Sequence, residues 1–350
     1  MFTTEVFTLL PRSDQRAKGF TYLRGLLLDG RRKSMQPMAE RLGVDHQGLQ
    51  RFITSSTWDF TAIRRRLATR AIHTISPQAW AIDDTGFVKD GIASPGVARQ
   101  YSGTLGKVGN CQIGVSVHAL TDTASCPLSW RLFLPTSWDD DHAADPLPAE
   151  QIRRRRARCA IPDDERHCPK WQMAIEMLNG LAAWELTPPI VVADTAYGDN
   201  ARLRAALDER GLRYVVQVKS AVTAHDVHDE PEAVRYRGTG RPPRPYRYRT
   251  SPISLREHVL AAGRAAAVTL TWRGGSKGDL TSQFVILPVR VAGRRPRPAG
   301  DGSLPVGHLI AQWPDDKSEP ITRRGPRRCP VGPLTWSRLG ESNPRPLDYE

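Results

Sequence analysis

The sequence has little that would cross-link it or place it in a membrane. It has five cysteines among 350 residues, and no two of them are spaced as Cys-x-x-Cys, which excludes a disulfide framework and a zinc finger. No stretch approaches the roughly 18 consecutive apolar residues that span a bilayer. The first residues have neither the basic start nor the apolar run of a signal peptide. We therefore expect a cytoplasmic protein in a reducing compartment.

Acidic residues are also comparatively few. The chain has 37 Asp and Glu against 50 Lys and Arg, which gives a formal charge of +13. Such an excess attracts polyanions through counterion release, and nucleic acid is the usual polyanion of the cytoplasm. Charge alone leaves open that the surface is merely basic. The length and the 39% of hydrophobic residues allow at least one sizeable core and two or three domains.

The first 75 residues have the periodicity of helices. Residues 35–53 resemble a helix, a glycine-containing turn and a second helix. Ala39, Gly43 and Leu49 fall where a helix-turn-helix has a small residue, a turn and a core residue. Two packed helices that do not bind DNA remain an equal alternative. A local basic cluster follows at Arg64, Arg65 and Arg66.

From Trp80 onward the period changes to that of a mixed α/β fold. Residues 138–168 are polar and charged, and we predict that they form an exposed loop. Around this loop we predict, in order, strands at 80–84, 112–120 and 129–134, a helix at 169–184, a strand ending at 194, a helix at 200–210 and a strand at 213–219. This order is that of an RNase H-like fold, in which the first strand lies beside the fourth.

Two strands of this plan end in carboxylates. Asp83 and Asp84 follow the apolar run that begins at Trp80, and Asp194 ends the run Pro189-Ile-Val-Val-Ala. Paired strands lie about 4.8 Å apart, so carboxylates at matching strand ends can share metal ions. This is how metal-dependent nucleases place their acidic ligands, and it indicates an enzyme that cuts or joins nucleic acid.

We predict four segments along the chain. A helical segment at 1–75, a candidate helix-turn-helix DNA-binding domain, precedes an RNase H-like core at 76–220. A β-rich insertion at 221–320 includes strands at 266–273 and 283–291. Residues 321–350 have no helical period, no alternation and no caps, and we predict a disordered tail without core elements.

Long motifs in the predicted core resemble those of the DDE transposases of bacterial insertion sequences. Within the larger IS-four-type superfamily, they are similar to the seven-hundred-and-one family of elements, and the likeness extends over roughly residues 15–320. The runs that carry it are Asp83-Asp-Thr-Gly-Phe-Val-Lys89, Ser94-Pro-Gly-Val-Ala-Arg-Gln-Tyr-Ser-Gly103, Leu105-Gly-Lys-Val-Gly-Asn-Cys-Gln-Ile-Gly-Val115 and Ala193-Asp-Thr-Ala-Tyr-Gly198.

The resemblance implies an RNase H-like catalytic domain, preceded by a helical domain, that binds Mg²⁺ or Mn²⁺ through two aspartates and a glutamate. The aspartates fall on Asp84, directly before the threonine, and on Asp194. Asp83 is the second choice to Asp84, and we expect it to be a local hydrogen-bond partner. The implied partners are double-stranded DNA, both the terminal inverted repeats and the target, and a second copy of the chain in a synaptic complex. The implied location is the bacterial nucleoid.

A glycine-rich segment beside the first aspartate carries residues that could contact DNA. Positive charge beside a carboxylate site suits a polyanion, and a tyrosine can stack on a base. The alternative is an ordinary solvated hairpin. The candidate residues are Lys89, Arg99, Gln100, Tyr101 and Lys107.

The third acid of the resemblance is missing. It should lie in the pattern Tyr-x-x-Arg-x-x-x-Glu-x-x-x-x-x-x-Lys, which this sequence does not contain; Glu341 and Glu350 do not have that spacing. We interpret the chain as the product of a truncated or frameshifted element. Its function is then that of a transposase whose metal-dependent strand cleavage and transfer are impaired. The alternative is a catalytically inactive, DNA-binding remnant of a transposase.

Overall fold

The fold is described from a computed structural model of the chain. The structure describes residues 2–103, 106–233, 238, 240, 246–273, 279–292, 306–313 and 334–338. None of the helices in these ranges is long and apolar enough to cross a membrane.

In the described ranges, five α-helices form the first part of the chain, and five more follow among the strands. Asp45 and Asp59 accept hydrogen bonds from backbone N–H groups at the starts of two helices, as N-cap residues do. Gly43, in the left-handed region with a φ of 65°, ends the helix before Asp45. The helices are α1 Phe2–Phe7, α2 Ser13–Leu27, α3 Met35–Leu42, α4 His46–Thr54, α5 Phe60–Ile75, α6 Pro146–Arg158, α7 Lys170–Ala182, α8 Thr195–Gly198, α9 Ala201–Glu209 and α10 Leu255–Ala262.

The helix, glycine turn and helix predicted at residues 35–53 are confirmed as α3 and α4. Ala39 and Leu49 are both buried, as that motif requires. The separate hydrophobic cluster of this region lies around Phe52, whose ring stacks on Trp58 with centroids 5.3 Å apart.

Fourteen strands are present in the described ranges, and twelve of them form one sheet. The path through this sheet is β10-β7-β12-β13-β14-β6-β5-β1-β3-β2, with β4 also paired to β3 and β11 to β12. The strands are β1 Ala79–Val88, β2 Ala98–Ser102, β3 Lys107–Leu120, β4 Ser125–Phe133, β5 Val191–Ala193, β6 Tyr214–Val218, β7 Thr223–Asp226, β8 Glu232–Ala233, β9 Tyr246–Arg247, β10 Ile253–Ser254, β11 Ala267–Arg273, β12 Leu280–Val291, β13 Gly307–Trp313 and β14 Leu334–Arg338.

The centre of the sheet confirms the predicted RNase H-like order. Strands β1, β3 and β4 are antiparallel neighbours, and β1 pairs in parallel with β5, which pairs in parallel with β6. The first strand therefore lies beside the fourth strand of the predicted plan. Two of the parallel pairs are Ala81–Val192 and Ile82–Ala193. Strand β5 ends at Ala193, whereas β1 continues, paired with β3, to Val88, so the predicted end of this strand at residue 84 is wrong.

Alternation along β1 separates a core face from an outer face. Trp80 and Ile82 are buried and pack in the main cluster with Met173 and Leu178 of α7 and Ala68 of α5. Since successive side chains point to opposite faces, Asp84 continues the face of Trp80 and Ile82, whereas Asp83 lies on the other face.

Residues 138–168 are not an exposed loop, so that prediction is wrong. They contain α6, and Trp138 and Asp139 are almost completely buried. The buried guanidinium of Arg156 donates hydrogen bonds to the carbonyls of Trp138, Pro162 and Glu165. The segment is held by paired charges and carbonyls, which a hydrophobicity pattern does not register.

The sheet continues beyond the predicted core, through one strand of the predicted tail. Strand β14 lies between β13 and β6, pairing Leu309 with Trp336 and Trp336 with Val216. The prediction that nothing after residue 320 forms a core element is therefore wrong for Leu334–Arg338. Its alternating Leu-Thr-Trp-Ser-Arg is compatible with a strand. The rest of the predicted tail lies outside the described residues.

Candidate metal and DNA site

Asp84 and Asp194 lie on neighbouring strands, near the point where the pairing of β1 with β5 ends. Asp84 follows the last β1 residues that pair with β5, and Asp194 comes directly after Ala193, the last residue of β5. The parallel pair Ile82–Ala193 sets Asp194 level with Asp83 and one residue before Asp84. That the carboxylates of Asp84 and Asp194 meet stays a prediction.

The Asp194 carboxylate is oriented by the helix that follows it. Its Oδ1 accepts hydrogen bonds from the backbone N–H groups of Ala196 and Tyr197, at 3.0 and 3.4 Å. Asp194 is thus the N-cap of α8. Its side chain remains exposed, which leaves carboxylate lone pairs for another ligand.

The Asp84 carboxylate forms an ion pair. Lys170 Nζ lies 2.5 Å from Asp84 Oδ2, and the ammonium also lies 5.3 Å from the centre of the Phe133 ring. The exposed fractions of the two side chains are 30% for Lys170 and 20% for Asp84. The pair is therefore mostly buried, near the point where the pairing of β1 with β5 ends.

The Asp83 side chain lies on the other face of β1 from this ion pair, but its carboxyl interacts electrostatically with Asp84 and Asp194. Its Oδ1 accepts a hydrogen bond of 2.7 Å from the backbone N–H of Asp84, the local contact expected of it. Partial burial raises the pKa of the Asp83 carboxyl, and the negative charges of Asp194 and Asp84 raise it further. Asp83 thus lies within electrostatic reach of both other acids.

Tyr197, in α8, lies on the core side of the candidate site. Its ring belongs to the main hydrophobic cluster, and its buried hydroxyl has no hydrogen-bond partner in the part of the chain that the structure describes. Burial raises the pKa of this hydroxyl, and the charges of Asp84, Asp83 and Asp194 raise it further. An unpartnered hydroxyl beside carboxylates is a polar group that a hydrated cation could satisfy.

The donor chemistry of this edge fits a hard divalent cation, with an incomplete set of ligands. Carboxylate oxygens of Asp84 and Asp194 are the ligands that Mg²⁺ and Mn²⁺ prefer. Within the described ranges, no three side chains of His, Cys, Asp or Glu are grouped closely enough to hold one metal ion. Among the described residues, the candidate ligands for an ion are therefore the carboxylates of Asp84 and Asp194.

Comparison with known proteins identifies the family. A family model described as DDE superfamily endonuclease matches residues 5–279. The chain belongs to the DDE superfamily of endonucleases. It is also 28% identical, over 208 residues, to a protein of Microchaete diplosiphon named "Probable transposase for insertion sequence element IS701". That match covers 58% of this chain and 49% of the relative, so the chain spans about half the length of the curated relative it matches.

In this member of the DDE superfamily, the predicted DNA-contact residues of the glycine-rich segment lie on or beside a hairpin. Arg99 and Tyr101 on β2 and Lys107 on β3 are exposed. Gln100 and Lys89 are partly buried: Gln100 Nε2 donates a 2.9 Å hydrogen bond to the Cys111 carbonyl, and the backbone of Lys89 pairs with Asn110. The hairpin thus presents two cations and a tyrosine to solvent.

The basic cluster of residues 64–66 lies in the middle of α5, and two of its three members make contacts within the protein. Arg64 donates a 2.9 Å hydrogen bond to Ser129 Oγ on β4. Arg66 donates hydrogen bonds to the carbonyl of Glu5 and to Thr8 Oγ1. Arg65 is exposed and lines a cavity of about 840 Å³ between α1 and α5. Arg64 and Arg66 therefore join the helices to each other and to the sheet.

Sequence reasoning missed two residues of the site. Lys170 is separated from Asp84 by 86 positions, and its place as the second residue of the helix predicted at 169–184 carried no sign of a partner. Tyr197 lies within the recognised run Ala193–Gly198, three residues after Asp194. Its position on the turn after a buried strand was the available signal.

Proposed function

We propose that this chain is an insertion-sequence transposase that cleaves DNA strands and transfers them at the ends of its element. The observation that carries the proposal is the placement of Asp84 and Asp194 on the paired parallel strands β1 and β5, just beyond the last pair, Ile82–Ala193. A divalent ion held there would supply activation of the attacking hydroxyl or water and stabilisation of the leaving oxygen. The family match and the name of the relative support the same reaction class.

The chain's own residues have separable roles in this proposal. Asp84 and Asp194 hold Mg²⁺ or Mn²⁺, and the α8 backbone fixes the direction of the Asp194 carboxylate. Arg99 and Lys107 hold the DNA backbone, and Tyr101, 62% exposed, is free to stack on a base. The substrate is double-stranded DNA with terminal inverted repeats, bound by two copies of the chain in a synaptic complex.

We also propose that the cleavage activity of this chain is low. Two carboxylates bind a divalent ion more weakly than three, and no third acid is grouped with them among the residues described. The same observation favours a second candidate function, a DNA-binding protein that recognises element ends through residues 1–75 without cutting them. The paired helices α3 and α4 would supply that recognition.

A cleavage and strand-transfer assay separates these functions. The full chain would be incubated with duplexes that carry the terminal inverted repeats of its element, with Mg²⁺, with Mn²⁺, or with a chelator. We expect retarded complexes under all three conditions and slow cleavage with a divalent ion only. Efficient cleavage would contradict the impairment, cleavage in the chelator would contradict the metal site, and binding without any cleavage would favour the second function.

The exposed cations of the β2–β3 hairpin should control DNA affinity. Replacing Arg99 or Lys107 by alanine removes one phosphate contact, so each variant should bind DNA about three- to tenfold more weakly, with a salt slope smaller by about one. The measurement is a gel-shift titration at several salt concentrations. Arg213→Ala is the control, because this exposed arginine lies before β6, at the opposite edge of the sheet from the acids. An equal loss in the control would show that only net charge matters.

A further inference from the structure

Lys170 occupies a position that its own helix does not favour. It is the first residue of α7, and the first turn of that helix has no acidic residue. The positive end of the helix dipole lies at the N-terminus, so a cation there is destabilising. The contact that compensates is made outside the helix, with the Asp84 carboxylate on β1 at 2.5 Å.

The surroundings of this ammonium are those of a bound cation. It lies against the Phe133 ring at 5.3 Å, and the Lys170 side chain is about two-thirds covered. Asp84 Oδ2, the atom it contacts, belongs to the carboxylate that the proposed function assigns to the divalent ion. One carboxylate oxygen thus has two candidate cations.

We propose that Lys170 is a resident cation that holds the Asp84 carboxylate while no divalent ion is bound and competes with that ion for it. Binding of Mg²⁺ or Mn²⁺ then requires the ammonium to leave Asp84 Oδ2. Before an ion binds, the lysine neutralises the Asp84 carboxylate, which lies near Asp83 and Asp194. The same contact lowers the affinity of the site for the ion. This inference rests on the proposed assignment of Asp84 as a ligand.

The competition predicts that removing the ammonium strengthens metal binding. In the unaltered chain a bound ion must displace the ammonium from Asp84, which costs the free energy of that ion pair. Lys170→Gln and Lys170→Met remove this cost, so each should bind Mn²⁺ about fivefold more tightly than the unaltered chain. Lys170→Arg retains a cation and should bind as the unaltered chain does. The readout is free Mn²⁺ measured by electron paramagnetic resonance in a titration of the full chain without DNA, with folding checked by circular dichroism.

A second lysine provides the matched control. Lys219 follows β6 at the same edge of the sheet and pairs with Asp199, with Nζ and Oδ2 2.9 Å apart. Lys219→Gln removes the same charge from the same region without touching Asp84. Its Mn²⁺ affinity should be that of the unaltered chain, and an equal gain in this variant would overturn the proposal because it would reveal only a general effect of charge.

The remaining outcomes distinguish a failure of this inference from a failure of the proposed function on which it rests. Asp84→Asn should abolish Mn²⁺ binding both with Lys170 present and in the Lys170→Gln background. If Asp84→Asn binds Mn²⁺ normally, the metal site itself is misassigned. If Asp84→Asn loses the ion but Lys170→Gln and Lys170→Met bind it no more tightly than the unaltered chain, only the competition by Lys170 is refuted.

Discussion

Asp84→Asn should abolish Mn²⁺ binding and lower any DNA cleavage by more than about 100-fold, because removing even a partner that only orients a metal ligand costs up to about 100-fold. Asparagine keeps the shape of the side chain but loses the negative charge that holds the ion. DNA binding should persist, because the positive residues of the hairpin and of residues 1–75 are unchanged. The measurements are Mn²⁺ titration, cleavage of end-containing duplexes and gel shift on the same preparations.

Asp83→Asn is the control for that experiment. The Asp83 side chain uses Oδ1 to accept the Asp84 N–H, and an asparagine carbonyl can accept the same hydrogen bond. The variant should therefore keep Mn²⁺ binding close to that of the unaltered chain. Asp83 is nevertheless close enough to Asp194 for the negative charge of Asp194 to raise its pKa, so Asp83 is the alternative ligand. If Asp83→Asn loses the ion and Asp84→Asn keeps it, Asp83 is the ligand.

Substitutions of Asp194 separate its proposed metal role from its role as a helix cap. Asparagine is as good an N-cap as aspartate, so Asp194→Asn should lose Mn²⁺ binding while α8 keeps its start. Asp194→Ala should lose both the ion and the hydrogen bonds to Ala196 and Tyr197. A comparison of the two variants by urea unfolding and Mn²⁺ titration attributes each loss to its cause. These variants extend the test of Asp84 to the second strand.

The sequence predicted the order of the central strands because most of them carry local signals. The apolar runs before Asp84 and Asp194 predict the strands β1 and β5, although β1 continues past the predicted turn to Val88 and β2 was not predicted. The parallel pairing of Ile82 with Ala193 follows from the order of the elements, since a helix between two strands returns the chain in parallel. Helices α3 and α4 were predictable from a capping aspartate and a glycine in the left-handed region.

The features that could not be predicted depend on contacts between distant residues. The ion pair of Lys170 with Asp84 joins two elements whose separate patterns say nothing about each other. Residues 138–168 are polar in sequence, and their buried groups are satisfied by distant partners: Arg156 donates to three carbonyls, and Asp139 pairs with Arg166 and accepts from the His167 N–H. Strand β14 is short and gains its partners from β13 and β6. In each case the stabilising partner lies far along the chain, beyond the window in which periodicity is read.

Gly198 is a position where a single methyl group should unfold the edge of the site. A Cβ at this residue would lie 1.8 Å from the Gln217 carbonyl oxygen on β6 and 3.1 Å from Val216 Cβ. The first contact is with strand backbone, which cannot rotate away as a flexible side chain can. Gly198→Ala should therefore lower the free energy of unfolding by about 3 kcal/mol, at the upper end of the usual range for overpacked sites.

The consequence of that substitution reaches Asp194, because both residues belong to the same turn of α8. The Gly198 N–H donates to the Asp194 carbonyl at 2.7 Å, and the Gly198 carbonyl accepts from the buried Arg204 guanidinium. Displacing Gly198 from β6 moves the capped carboxylate with it, so Mn²⁺ binding should weaken along with stability. Gly180→Ala is the control: Gly180 lies in α7 with no atom within 4 Å of an added Cβ, so the change should stabilise the protein by up to about 1 kcal/mol. Urea unfolding of both variants decides the point, and equal stability of Gly198→Ala and the unaltered chain would show that α8 does not pack against β6 as described.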